Sequence, residues 1–326
     1  MSTLKLEVPD APRLLIEASL QPLQGTRFQP TGFPDIGAAR YKLPDETEML
    51  LVESAQSVAN HLEKVCWDEA TDELVPCLKG LPYVRVMQDG KSLTNSILEA
   101  HRLNSVYIEK SDGFDAIKAE VGEDGRFDRR RLARALLKRD PNSLVHGAFL
   151  ESINGVQRLP RMVSGFVEAR KVGVVASGGV KNDRVSAKGD GGGAAEGHGN
   201  VPFHRDEFSA ESLTAFFNID LSQLRSYGLG EDAERLLFGL AVWKILAFLE
   251  SGLRLRTACD LDLVACRVTR PDGYPLPDRG GIEAALPGLI AAVTRSGAFA
   301  EPAVTVVNYG SEVKVAKPKR GKGGDK

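Results

Sequence analysis

The side chains best suited to gripping a polyanion lie in one short stretch, Leu23-Gln24-Gly25-Thr26-Arg27-Phe28-Gln29-Pro30-Thr31-Gly32-Phe33-Pro34. Gly25 lets another backbone approach closely, the Arg27 guanidinium can fork onto a phosphate, and Phe28 or Phe33 can offer a stacking face to a base. Thr26 and Gln29 add hydrogen-bonding groups between them. The same residues also describe an irregular surface loop whose phenylalanines plug the core, so the loop alone does not decide. A second set, Ser54, Gln56, Ser57 and Asn60, lies on or near the polar face of an amphipathic stretch and suits phosphate or ribose contact without choice of base. A solvated helix face is the plainer reading. A third set, Ser177-Gly178-Gly179-Val180-Lys181-Asn182-Asp183-Arg184, joins glycines to two cations. It lacks the Gly-Lys-Ser/Thr ending of a phosphate-binding loop, which leaves a flexible arm or a disordered spacer.

Catalytic chemistry finds less support. His101 is followed by Arg102 and Asn104, and His204 stands in Phe203-His204-Arg205-Asp206-Glu207, where a nearby carboxylate could tune a general base. No Gly-x-Ser-x-Gly or His-Glu-x-x-His pattern accompanies them, and the expectation is a non-enzyme. Asp260 and Asp262 lie two apart on one strand face and could hold a cation, but a water-facing strand edge explains them equally well. Cys66, Cys77, Cys259 and Cys266 form no Cys-x-x-Cys pair and have no histidine at finger-like spacing, which argues for core thiols over structural zinc. No metal or cofactor is expected.

The elements that must position these groups follow from apolar periodicity. The 326 residues, 42% hydrophobic, can bury a substantial core, and 42 Lys and Arg against 44 Asp and Glu give no bulk attraction to polyanions, so a nucleic-acid site must be a local patch. Residues 14–20 alternate as a strand. Over 48–65, Leu51, Ala55, Val58, Leu62 and Val65 recur at helical spacing, with Glu53, Ser57, Asn60 and Lys64 opposite, which predicts one helix. Residues 67–160 are broken by prolines and glycines and read as an inserted subdomain, within which 127–139 forms a basic amphipathic helix with Arg130, Arg131, Arg134 and Lys138 toward solvent. Strands are predicted at 161–176, 213–221, 257–269 and 303–309, and a buried helix at 232–250 closed by Gly252. Residues 176–212 form a glycine-rich arm, mobile at 189–199 unless bound, and 311–326 a disordered basic tail on an otherwise single domain of residues 1–310.

In order, these elements give βαββαβ plus one added strand. That is an α+β, modified ferredoxin-like or RRM-like palm with large insertions and an arm. Residues 1–10 lack an apolar run and the stretch 236–249 is too short to span a bilayer and carries Lys244, so a cytoplasmic protein without membrane contact is expected.

Four segments together, residues 23–34, Val-Glu-Ser-Ala-Gln-Ser-Val-Ala-Asn at 52–60, Glu-Ala-His-Arg-Leu-Asn-Ser at 99–105 and Ser-Gly-Gly-Val-Lys-Asn-Asp-Arg-Val at 177–185, resemble one family. It is the RAMP-superfamily large backbone subunit of the type I-G (formerly I-U) CRISPR surveillance complex, or Cascade. The resemblance runs from about residue 14 to residue 309. It implies a ferredoxin-like palm, a projecting thumb-like hairpin and head-to-tail stacking of copies along one guide RNA, whose bases remain free to pair with invading DNA. Other subunits of the complex are implied as further partners. Carried over by residue, it implies a guide-backbone loop at Gly25, Thr26, Arg27 and Gln29, helix contacts from Ser54, Gln56, Ser57 and Asn60, an arm carrying Lys181, Asn182 and Arg184, and weaker contributions from Arg102 and Arg205. The alternative within the superfamily is a CRISPR RNA-processing endoribonuclease using His101 or His204; a nucleotide-dependent enzyme rests on the glycine-rich segment alone.

Overall fold

Alternation of apolar and polar residues sets the central strands of the chain, whose computed structural model describes residues 6–33, 35–122, 127–153, 155, 157–182 and 200–310. Strand β1 (Arg13–Pro22) buries Leu14, Ile16, Ala18 and Leu20 and turns Glu17 and Ser19 to the other face. After β2 (Arg40–Lys42), β3 (Glu48–Glu53) leads directly into helix α1 (Ala55–Lys64). The helix expected over 48–65 therefore divides at Ser54. Met49, Leu50 and Val52 pack as a strand, while the Ser54 hydroxyl accepts from the Ser57 N–H at 3.3 Å and caps the helix that follows. Glu53, assigned to a polar helix face, is instead fully buried and ion-paired to Arg256.

The inserted stretch has structure of its own. Strands β4 (Tyr83–Gln88) and β5 (Lys91–Asn95) form a hairpin, followed by α2 (Arg129–Arg139), α3 (Pro141–His146) and the short hairpin β6 (Ala148–Leu150) with β7 (Gln157–Leu159). Helix α2 buries Leu132, Leu136 and Leu137 as its periodicity predicts and exposes Arg130 and Arg134. Arg131 and Lys138 are not free: Arg131 donates to the Ala119 and Glu120 carbonyls at 2.8 and 3.0 Å, and Lys138 holds Glu120 at 2.5 Å.

The chain then returns through β8 (Val163–Arg170), the arm hairpin β9 (Gly173–Asn182) and β10 (Asn200–Ser209), and β11 (Ser212–Asp220). The single strand expected over 161–176 is thus two, broken where Lys171 turns with φ +51°. Helix α4 (Glu231–Glu250), β12 (Arg254–Arg256), β13 (Cys259–Arg270), α5 (Arg279–Arg295) and β14 (Val304–Asn308) complete the elements used below. Helix α5 has no counterpart in the periodicity reading, because Gly280, Gly281, Pro287 and Gly288 interrupt its pattern.

The main sheet runs β12–β13–β1–β11–β8–β3–β2, antiparallel at every pairing. Its centre, β13–β1–β11–β8, places the fourth, first, third and second palm strands side by side, consistent with a ferredoxin-like core. One face carries α1 and the almost wholly buried α4, packed on Ile16, Val167, Ala215 and Phe217. The other face remains open and presents Phe166 and Phe216 stacked at 5.2 Å. The added strand β14 does not join the palm. It pairs in parallel with β4, and the insertion's sheet is β14–β4–β5. No helix among the described residues is long and apolar enough to cross a membrane.

Candidate nucleic-acid interface

Residues 23–33 are pinned as they leave β1. The Leu23 N–H donates to the Asp260 carbonyl at 2.9 Å, the Phe28 and Phe208 main chains exchange bonds of 2.9 and 3.0 Å, the Gln29 N–H reaches Ala258 at 2.8 Å, and the Thr31 N–H reaches Val52 at 2.9 Å. The loop thus joins the start of β13, the base of the arm and the strand that feeds α1. Phe28 is only 1% exposed, so its ring is a core plug and not a stacking face; Phe33 is 39% exposed. Gly25 adopts φ +68° with open space where a Cβ would lie, so the turn needs glycine for its backbone conformation and not for close approach.

Between these anchors Arg27 meets the arm. Its guanidinium lies 3.1 Å from Glu207 and 3.5 Å from the Ser177 hydroxyl, and Arg205 holds the same carboxylate. Burial pushes the Glu207 carboxyl up, but hydrogen bonds from Ser177 and Arg205 and the charges of Arg205 and Arg27 outweigh it and leave the group below the usual carboxylate range. Two guanidinia share the Glu207 carboxylate beside a concavity of 490 Å³ bordered by Gly25, Thr26, Arg27, Arg205 and a second carboxylate, Asp260, which lies 3.7 Å from Arg254. Loop and arm, far apart in sequence, meet here.

The α1 residues face elsewhere. Ser54 is occupied as the cap, and Gln56 donates to Asn60 at 3.0 Å and accepts from Arg161. Gln56, Asn60 and Arg161 border a larger cleft between α1 and the insertion. Arg161 was not singled out from sequence; the only signal was a cation directly after Pro160 at a strand entry.

Arg102 requires correction as an RNA contact. It is 8% exposed and forms a two-pronged ion pair with Glu63 at 2.5 and 2.9 Å, with a third bond of 3.2 Å to the Gly147 carbonyl. Its donors are directed inward, and Asn142 also donates to Glu63 at 3.1 Å. Lys181 and Asn182 end β9, with their main chains opposite Val201 and Asn200. Arg184 and the glycine tract at 189–199 lie outside the described residues. His101 is exposed on the rim of the larger cleft, and His204, on the arm, stands 3.8 Å from an exposed Asp206. Among the described residues no group of His, Cys, Asp or Glu is placed to hold a metal ion.

The family model described as CRISPR-associated protein GSU0053 matches residues 14–174, from β1 into the first strand of the arm. The match covers just under half of the chain, and the sheet order is consistent with a ferredoxin-like core. Over those residues the chain is similar to that family of CRISPR-associated proteins. Among solved structures, a chain of an assembly described as a CRISPR RNA-guided surveillance complex, pre-nicking, is 16% identical over 87% of this chain and 89% of its own, with a TM-score of 0.40. Csc2 of Thermofilum pendens is 9% identical over 87% of this chain and 77% of its own, with a TM-score of 0.31. No residue role is carried over from either. Among curated proteins, none matches.

Proposed function

We propose that the chain is a non-catalytic backbone subunit of a CRISPR surveillance complex, holding guide RNA by its phosphates and sugars while the bases stay free to pair with invading DNA. The observation that carries this reading is the corner where Arg27 and Arg205 share Glu207 beside the Gly25 turn. A phosphate entering there meets two forked donors, with the Glu207 carboxylate between them and Asp260 at the border, and no base-reading group is needed. The near-neutral whole-chain charge of −2 fits repeated stacking, since copies in a head-to-tail filament with other subunits of the complex need a local basic site and not a repelling surface.

Expressed beside a CRISPR array, the protein should co-purify with protected RNA of uniform length. Nuclease-treated protein recovered monomeric and free of RNA would sink the proposal. Arg27→Ala should weaken RNA binding about equally for all sequences and reduce the salt slope by about 1, as for loss of one phosphate contact. A change of sequence preference in titrations against unrelated oligonucleotides would instead assign Arg27 to a base.

A further inference from the structure

The cleft between α1 and the insertion encloses 1480 Å³. Small-molecule pockets fall at about 300–1,000 Å³, so this one suits an extended ligand. Phe149 and Arg158 stand opposite each other across the β6–β7 hairpin, both turned outward. Phe127 and Arg129 border the cleft beside the start of α2, and Arg161 lies toward α1. Phe127 and Phe149, 45% and 47% exposed, are the two most exposed phenylalanines of the described residues.

The charges are also distinctive. Arg27, Arg102 and Arg205 each have a carboxylate partner. Among the described residues no carboxylate pairs with Arg129, Arg158 or Arg161. Arg129 donates to the Ser226 hydroxyl at 2.8 Å, and Arg161 to the Ala55 carbonyl at 3.1 Å and to the Gln56 side chain. Glu99, Glu109 and Glu151 also border the cleft, and Glu99 is held by the Thr94 and Ser105 hydroxyls at 2.7 and 2.8 Å. Three guanidinia without carboxylates, interleaved with two exposed aromatic rings, match the chemistry of a strand whose phosphates and bases alternate.

The lining adds a third observation at His146, itself only 1% exposed. The Lys244 ammonium has no lone pair, so the 2.9 Å contact between its Nζ and His146 Nε2 makes Nε2 the acceptor. The ring proton then sits on Nδ1, a buried donor for which no acceptor lies among the described residues.

We propose that this cleft binds a single-stranded stretch of nucleic acid, with bases on Phe127 and Phe149 and phosphates on Arg129, Arg158 and Arg161. It is a second contact region, separate from the Arg27 corner, and it rests on the reading that the chain binds RNA. Because ribose and deoxyribose strands share this chemistry, the source is settled by comparing them.

The test uses the full chain and 5-iodouracil-substituted RNA and DNA oligonucleotides, photo-crosslinked and mapped by mass spectrometry, beside anisotropy titrations of Phe149→Ala, Arg158→Glu and Arg27→Ala. Crosslinks should fall on Phe149 or Phe127 and persist in Arg27→Ala. Phe149→Ala should lose about tenfold in affinity, as for one stacked base, and Arg158→Glu should lose more at low salt than at high salt. The DNA arm crosslinking more strongly than RNA would identify the strand as target; the reverse would identify it as guide. Crosslinks confined to residues 25–29 and the arm, with affinity unchanged in both cleft variants, would overturn the cleft and leave the proposed function intact. Failure of wild-type protein to bind either oligonucleotide would overturn both. Retained oligonucleotide affinity in Phe149→Ala with loss of self-association would make the cleft a protein-docking surface and overturn the proposal. Both altered side chains are exposed, so unchanged thermal melting serves as the folding control.

Discussion

Arg102→Ala is expected to lower the unfolding free energy by about 3–5 kcal/mol, because it strands the Glu63 carboxylate in the interior without its guanidinium. The pair joins α1 to the short helical turn Arg102–Asn104 in the insertion, and Arg102 reaches on to Gly147, so the loss is felt where the insertion docks on the palm. Removing both charges is a different perturbation. In Glu63→Met/Arg102→Met most of the loss should be recovered, since a buried pair replaced by apolar side chains of similar volume is often neutral or better. Urea denaturation of the wild type, the single variant and the double variant measures both effects. A single-variant loss below about 1 kcal/mol, the range of exposed ion pairs, would mean that Arg102 is free in solution and would restore it as an RNA contact. RNA affinity that survives in the double variant would confirm its structural role.

The second large effect depends on pH. Asp140 links α2 to α3, accepting from the Asn142 N–H at 3.1 Å and the Ser143 hydroxyl at 2.8 Å, and is fully buried. Burial pushes its carboxyl up to about 6, against a weaker pull downward from the Ser143 hydrogen bond and the charges of Arg102 and Lys244. The folded protein therefore holds a proton between pH 4 and 6 that the unfolded chain has released. Stability must fall as pH rises through that window, by as much as about 3 kcal/mol, and stay low above it. Asp140→Asn keeps an oxygen for the cap and removes the titration. Relative to wild type it should gain about 2 kcal/mol between pH 4.5 and pH 7.5 in urea melts. An equal difference at the two pH values would show that Asp140 is not buried as a neutral acid at low pH.

Much of the palm was legible because its strands have one buried face. Alternation in β1 and β11 identified both, and the apolar breadth of α4 with Gly252 behind it identified the central helix. The boundary at Ser54 was not legible by periodicity, because Leu51 and Ala55 happen to continue the spacing of the helix beyond. Ser54 was read as a polar contact when its oxygen serves as a cap. Phe28 and Arg102 failed for a related reason. Their partners are Phe208 and Glu63, distant in sequence, and no local pattern tells a ring or guanidinium whether it turns inward. The meeting of Arg27 with Arg205 is likewise a product of the Phe28–Phe208 bridge, while Gln56 and Asn60 of α1, expected as polar helix contacts, open on a different cleft.

The parallel pairing of β14 with β4 bears on synthesis. Val304 lies opposite Tyr83, roughly two hundred residues later in the chain, so the centre of the insertion's sheet lacks one neighbour until nearly the whole described fold has been made. At about 5–20 residues per second, the edge of β4 stays uncovered for about 10–40 s on the ribosome. An open strand edge invites pairing with another chain. Chaperone access during that interval is therefore expected to raise the yield of folded protein.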